Sequence, residues 1–234
     1  TSHRPWALPK GLWNYYQEWN NALFLHWRVP TDALTPLVPE KLSIDKFNGE
    51  CWISLVAFTM ERIRPRNLPS VAVISDFHEV NVRTYVIADN KRGVYFLSIE
   101  AEKGISCVIA KKLSGLPYVK SRIYVQGDAN SKQYSSKNEN KGFCLDTTFK
   151  IGERITNKSE LDKWLTERYC LYLDKNKKIY RYETHHEPWN LSETKITTLK
   201  TDYKIGNLSL ARKPDLTHFS SGVKVIAWKR ECLT

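Results

Sequence analysis

Along most of the chain apolar side chains recur with period two, not at helical spacing. In "FHEVNVRTYVIADNKRGVYFLSIEA" (77–101), Glu79, Asn81, Arg83 and Tyr85 fall on one side of an extended strand, with Val80, Val82, Thr84 and Val86 on the other. This stretch predicts two strands around the turn "ADNKRG". The aromatic-rich run "NYYQEWNNALFLHWRV" (14–29) shows no helical stripe and is read as a further strand. Pro30 and Thr31, as cap, open a short helix over "TDALTPLV", which Pro39 closes. In "KLSIDKFNGECWISLVAFTMERI", Asn48-Gly49 lies between two β-like runs and predicts a hairpin.

The period changes only twice. Ile105, Val108, Ile109 and Leu113 predict an amphipathic helix, with Lys111 and Lys112 in its last turn, Gly115 as left-handed stop and Pro117 beyond. A second helix is predicted at "SELDKWLTERY", with Ser159 as N-cap and Asp162 at capping-box spacing. After Pro117 the chain reads as extended, with Tyr118, Lys120, Arg122 and Tyr124 on one face. "RPRNLPSVAVIS" (64–75) reads as a long loop near a site mouth, and 128–142, polar and low in complexity, as a mobile loop. The hairpin "CLYLDKNKKIYRYETHHEPW" and the strands "KITTLKTDYKIG" and "VKVIAWKREC" complete the pattern. No repeat, linker or composition break divides it. The expectation is one domain over 1–234, mainly β (α+β): a barrel of mostly antiparallel strands with two or three short helices.

Composition narrows the classes of function. A net charge of +11 invites a nucleic-acid partner. The excess, however, is spread over predicted loops such as "NSKQYSSKNENKG", and no helix-turn-helix, zinc finger or RNP motif occurs, so no nucleic-acid partner is expected. Five cysteines, without a C-x-x-C pair, read as free thiols in a reducing compartment. With no long apolar run and no visible signal peptide, the expectation is a cytoplasmic protein with no membrane partner. Neither Gly-rich phosphate loop occurs, and no nucleotide cofactor is implied.

Three places carry candidate chemistry. The ladder Glu79, Asn81, Arg83, Tyr85 is either a solvent-facing strand side or the polar interior of a barrel, where Glu79 beside Arg83 could orient a ligand or move a proton; alternation does not separate the two. His185 and His186 are adjacent on a strand and so point to opposite faces. They do not share a metal, and no metal site is expected, but one of them lines a pocket if a pocket is there. Lys120 shares a face with Tyr118 and Arg122, where a dry cationic setting would depress its pKa and make it a Schiff-base nucleophile.

The segments "HRPWALP", "LFLHWRVPTDALTPLVPEKLSID", "HEVNVRTYV", "GVYFLSIEA", "LPY", "LTERYCLY" and "HHEPW" together resemble the YqjF-like family of bacterial proteins, in order and over nearly the whole chain. That family in turn resembles acetoacetate decarboxylase, whose "DAL…VPEPLEID" pattern is similar to residues 32–45. The resemblance implies an acetoacetate decarboxylase-like β-barrel around a small, largely apolar cavity, and it leaves a homo-oligomer open. It places the decarboxylase's pocket glutamate on Glu79 and its first-strand arginine on Asn20. The Schiff-base lysine falls on Tyr118, and the neighbouring lysine on Val119. A phenol cannot form an imine, so decarboxylation by that route is not expected. The expected function is a small-molecule-binding barrel acting on a carbonyl or carboxylate ligand, with Glu79 and Tyr118 as catalytic candidates. Asn20, Asn81, Arg83, Lys120, His185 and His186 are its expected pocket residues, without a cofactor. A non-catalytic binding or interaction protein is the alternative, and a lyase using Lys120 a further one.

Overall fold

Strands of period-two sequence dominate the protein. Its structure is a computed structural model that describes residues 2–103 and 115–233, with the side chains of 73 and 74 outside the description. Among the described residues the strands are β1 (Tyr15–Val29), β2 (Ser43–Ile44), β3 (Cys51–Pro65), β4 (Phe77–Ala88), β5 (Lys91–Ala101), β6 (Tyr118–Lys120), β7 (Arg122–Gly127) and β8 (Ser131–Asn138). They continue with β9 (Phe143–Arg154), β10 (Cys170–Lys175), β11 (Lys178–His186), β12 (Leu191–Asp202), β13 (Lys204–Ile205), β14 (Leu208–Ser209), β15 (Leu216–Ala227) and β16 (Glu231–Cys232). Helices are short: α1 (Thr31–Leu34), running into a 3-10 turn at Thr35–Leu37, α2 (Ala72–Ser75) and α3 (Glu160–Thr166). The mainly β expectation matches this architecture.

The pairings run β1-β3-β4-β5-β10-β11-β15 and return to β1, because β11 pairs with β15 as well as with β10. All are antiparallel except β5–β10, which is parallel and spans only Val94 and Tyr95 against Leu171 and Tyr172. The β11–β15 seam is equally short, joining Thr184–His186 to Val225–Ala227. From β15 the sheet continues outward through β12, β9, β8 and β7, while β6 lies parallel beside β5.

This arrangement gives β1, β3 and β4 two buried faces, so β3 is buried without interruption from Cys51 to Met60. One face, with Leu23, Leu25, Leu55, Ala57, Val80 and Val82, packs in one core with Tyr134, Leu145 and Phe149 of the outer strands. The opposite face carries Phe24, Val56, Phe58, Met60 and Phe77, which pack with Trp189 and Val225 inside the ring. Continuous apolar runs are what two-sided burial demands of a strand.

Some sequence expectations need correction. The stretch 128–142, expected as a mobile loop, forms β8 and leads into β9. Its inward positions are Tyr134, Ser136 and Asn138, so the alternation runs largely through polar residues and leaves no hydrophobic period. The expected loop 64–75 contains the end of β3 and the turn α2. Pro30, rather than Thr31, is the cap residue of α1. The Asn48-Gly49 turn forms, with both residues at positive φ (49° and 84°), but pairing on its first side stops at Phe47–Glu50, and β2 joins β4 instead. The capping box of α3 is present: Ser159 Oγ accepts from the Asp162 amide and the Asp162 carboxylate from the Ser159 amide. The helix expected over 104–113, with Lys111 and Lys112, lies outside the described residues. Gly115 does adopt a left-handed conformation (φ 77°).

Candidate functional site

Inside the ring is a cavity of about 300 Å³, the lower end of the range for small-molecule sites. Phe24, Val56, Phe58, Met60, Phe77 and Trp189 supply apolar wall, and Pro65, Pro69 and Val71, from the stretch 64–75, also line it. Glu79, Asn81 and Arg83 line it, which decides the question alternation left open: this side of β4 faces inward.

Register explains how the polar groups come together. Asn81 of β4 lies between Val56 of β3 and Ile99 of β5, and Ile99 in turn pairs with Tyr118 of β6. Tyr118 thereby reaches across β5, and its hydroxyl donates to Glu79 Oε2 at 2.9 Å. Asn81 Nδ2 donates to Glu79 Oε1, also at 2.9 Å. Glu79 is only 3% exposed, and burial pushes its pKa up to about 7 against the pull of the Asn81 and Tyr118 hydrogen bonds and the Arg83 charge. Near neutral pH this carboxyl both gives and takes a proton, as a general acid–base group must.

Arg83 sits two residues beyond Asn81, opposite an irregularity in β5. Val82 pairs with Ser98 but Arg83 with Phe96, so Leu97 is an extra residue. The bulge switches the inward face of β5: Val94 and Phe96 line the cavity, whereas Ile99 and Ala101 take the inward positions beyond it. Arg83 is 9% exposed, and burial lowers its pKa against the opposing pull of the neighbouring Tyr85 side chain and the Glu79 charge; its Nε and Nη2 have no hydrogen-bond partner.

The other sequence candidates divide. His186 lines the cavity, packed near Tyr169, Trp189 and Trp19 with ring centroids at 4.8, 5.6 and 6.0 Å. Burial lowers its pKa; Nδ1 lies 2.8 Å from the Glu187 carbonyl, to which it donates, and Nε2 faces the Arg168 carbonyl at 3.4 Å. It is a neutral wall residue. His185 points the other way and stacks on His3 at 5.4 Å. Asn20 is not in the lining; its Nδ2 donates to Glu61 at 2.7 Å. Lys120, at the end of β6, is exposed and outside the lining although alternation puts it on the same side as Tyr118, and no lysine lines the cavity among the described residues.

The model of the DUF2071 family, described as an uncharacterized conserved protein, matches residues 16–224. The chain belongs to this family. The uncharacterized protein YqjF of Bacillus subtilis (strain 168) is 33% identical to it over 226 residues, which cover 95% of this chain and 93% of the relative. Among solved structures, acetoacetate decarboxylase from Legionella pneumophila subsp. pneumophila str. Philadelphia 1 aligns with a TM-score of 0.66 at 10% identity, covering 100% of this chain and 94% of the other. The enduracididine biosynthesis enzyme MppR, complexed with pyruvate, aligns with a TM-score of 0.64 at 10% identity, covering 97% and 92%. At such identities the likeness is one of fold. This DUF2071 chain therefore has an acetoacetate decarboxylase-like fold.

Sequence reasoning missed Arg168, which follows α3 and lines the cavity. Arg168 bonds Asp45 at 2.6 Å and the Trp164 carbonyl at 2.7 Å, leaving Nη2 without a partner. Its two anchors come from segments 123 and 4 positions away, so the long-range pairing with Asp45 leaves no local sequence signal. Also missed was a buried chain in which Asp162 accepts from His218 Nε2 (2.9 Å), His218 Nδ1 meets His26 Nε2 (3.2 Å), and His26 Nδ1 meets Ser54 Oγ (2.5 Å). Ser54 continues it to the Tyr85 hydroxyl, which donates to the Leu165 carbonyl at 3.0 Å. Desolvation lowers both histidine pKa values, so the chain is neutral at its centre and ties α3 to β1, β3, β4 and β15. Among the described residues no group of three or more His, Cys, Asp or Glu is placed to hold a metal ion. No described helix is long and apolar enough to cross a membrane.

Proposed function

We propose that the protein binds a small organic carbonyl or carboxylate compound in this cavity and moves a proton on it, within one domain spanning 1–234. Glu79 acts as the base, and Tyr118 as the acid or oxyanion donor. The observation that carries the reading is the 2.9 Å contact between the Tyr118 hydroxyl and a buried Glu79 with a pKa near 7, at the wall of a mostly apolar cavity. A phenol beside a carboxyl supports proton abstraction next to a carbonyl, with the enolate oxygen held by the phenol. MppR, alike in fold, is complexed with pyruvate, a compound of the proposed kind. Tyr118 in place of a lysine, with Lys120 exposed, argues against imine chemistry. Four described cysteines, free of disulfides, favour the cytoplasm.

The test is proton exchange. A panel of small oxo acids and ketones is incubated with the protein in D2O, and exchange at the carbon beside the carbonyl is followed by NMR. Glu79→Gln is expected to lower the enzyme-dependent exchange rate by about 10²-fold or more, while ligand binding persists. Binding without exchange in the wild-type protein would remove the catalytic half of the proposal and leave a binding protein.

A further inference from the structure

The cavity holds a cationic group whose bonding is unfinished. Buried guanidinium groups in folded proteins are ordinarily paired with an acid, because an unpaired buried charge is costly. Arg168 obeys this rule through Asp45, and Arg181 through Glu231 at 2.7 Å. Arg83 does not: no carboxylate lies within ion-pair distance of it among the described residues, although it is 9% exposed. Glu79, the acid on the same strand face, has its oxygens engaged by Asn81 and Tyr118. Arg83 is left with Nε and Nη2 unpartnered, and Arg168, also in the lining, with Nη2 unpartnered.

We infer that Arg83 is the anchor for a ligand carboxylate, assisted by Arg168, so that the cavity takes a small monocarboxylate with an apolar body and an oxo or hydroxyl group directed at Glu79 and Tyr118. This rests on the reading of the cavity as a small-molecule site and narrows its ligand. The ladder supplies the spacing: four residues of strand separate Glu79 from Arg83, about 13 Å between Cα atoms, and the long Arg83 side chain spans part of that distance. One end of the ladder is then cationic and the other proton-transferring. Between them Phe24 contributes apolar wall, and the Arg83 guanidinium lies 5.7 Å from its ring. A planar guanidinium with two adjacent free N–H groups matches a carboxylate in shape as well as charge. The β5 bulge beside Arg83 breaks regular pairing at that point, as bulges beside functional groups commonly do.

The test uses a matched pair of probes, phenylpyruvate and phenylacetone, which differ only by carboxylate against methyl. Binding to the whole chain is read from the fluorescence of Trp19 and Trp189, both in the cavity wall, and by calorimetry. Wild-type protein is expected to bind phenylpyruvate about tenfold or more tighter than phenylacetone, the scale of charge-assisted hydrogen bonds. Arg83→Met is expected to erase that preference, and Arg83→Lys to keep part of it. If phenylacetone binds and phenylpyruvate is no tighter, the anchor is overturned while the cavity reading stands. If neither probe binds the wild-type protein, both fall. An undiminished preference in Arg83→Met overturns the anchor alone. Should Arg83→Met fail to fold, the wild-type comparison and Arg83→Lys still decide.

Discussion

Glu79 shows what burial does to a carboxyl in the cavity wall. Its carboxyl has a pKa of about 7 in the fold against 4.5 ordinarily, with desolvation the cause. Between these values the folded state holds a proton that the unfolded state has released, so stability falls as pH rises from 4.5 to 7 and levels off above. A shift of this size corresponds to about 3 kcal/mol. Glu79→Gln abolishes the dependence, and the difference between the two proteins' urea-unfolding free energies should grow across that window in favour of the variant. A constant difference would mean that the carboxyl is not held protonated. Buried neutral His26, His186 and His218 act with the opposite sign, losing stability as pH falls, and cancel in this comparison. At Tyr118, removal of the hydroxyl withdraws a hydrogen bond that favours the ionised carboxyl. Tyr118→Phe should therefore move the Glu79 midpoint upward, and a downward shift would argue against the contact.

At the scale of elements, two joints hold the site in register. α3 is fixed by its capping box and by His218 on the same Asp162 carboxylate. Ser159→Ala removes the cap alone and should cost about 1 kcal/mol. Asp162→Ala also strands the buried His218 ring nitrogen and should cost about 2 kcal/mol or more; equal losses in chemical denaturation would show that the histidine link contributes nothing. The second joint is the short β5–β10 seam. A Cβ at Gly93 would lie 2.6 Å from the Cys170 carbonyl oxygen and 2.7 Å from Tyr172 Cε2, so Gly93→Ala must push the seam apart. A loss of about 1–3 kcal/mol is expected, and an unchanged unfolding midpoint would count against the ring. The α3 cap was legible in the sequence because Ser159 and Asp162 are three residues apart. The seam was not, since nothing near Gly93 announces that β10 will lie parallel to it.

For the molecule as a whole, legibility follows how local the cause is. Alternation assigned the β4 ladder to one face and set His185 against His186. Which side was inside depended on β11 reaching β15 and on the outer sheet covering the other face, both long-range facts. β8 escaped notice because its inward residues are polar. Arg168 escaped because its acid partner is far away in the chain. The likeness to the decarboxylase placed Glu79 and Tyr118, which meet in the cavity wall, as well as Asn20, which is engaged by Glu61 outside it. The central claim is that the fold holds Glu79 dry, beside Tyr118, at a pKa suited to proton transfer. Carbon-13 NMR titration of the Glu79 side-chain carboxyl in the wild-type protein tests it most directly. The expected midpoint is about 7, and a midpoint near the ordinary 4.5 would contradict it by showing a carboxyl open to water.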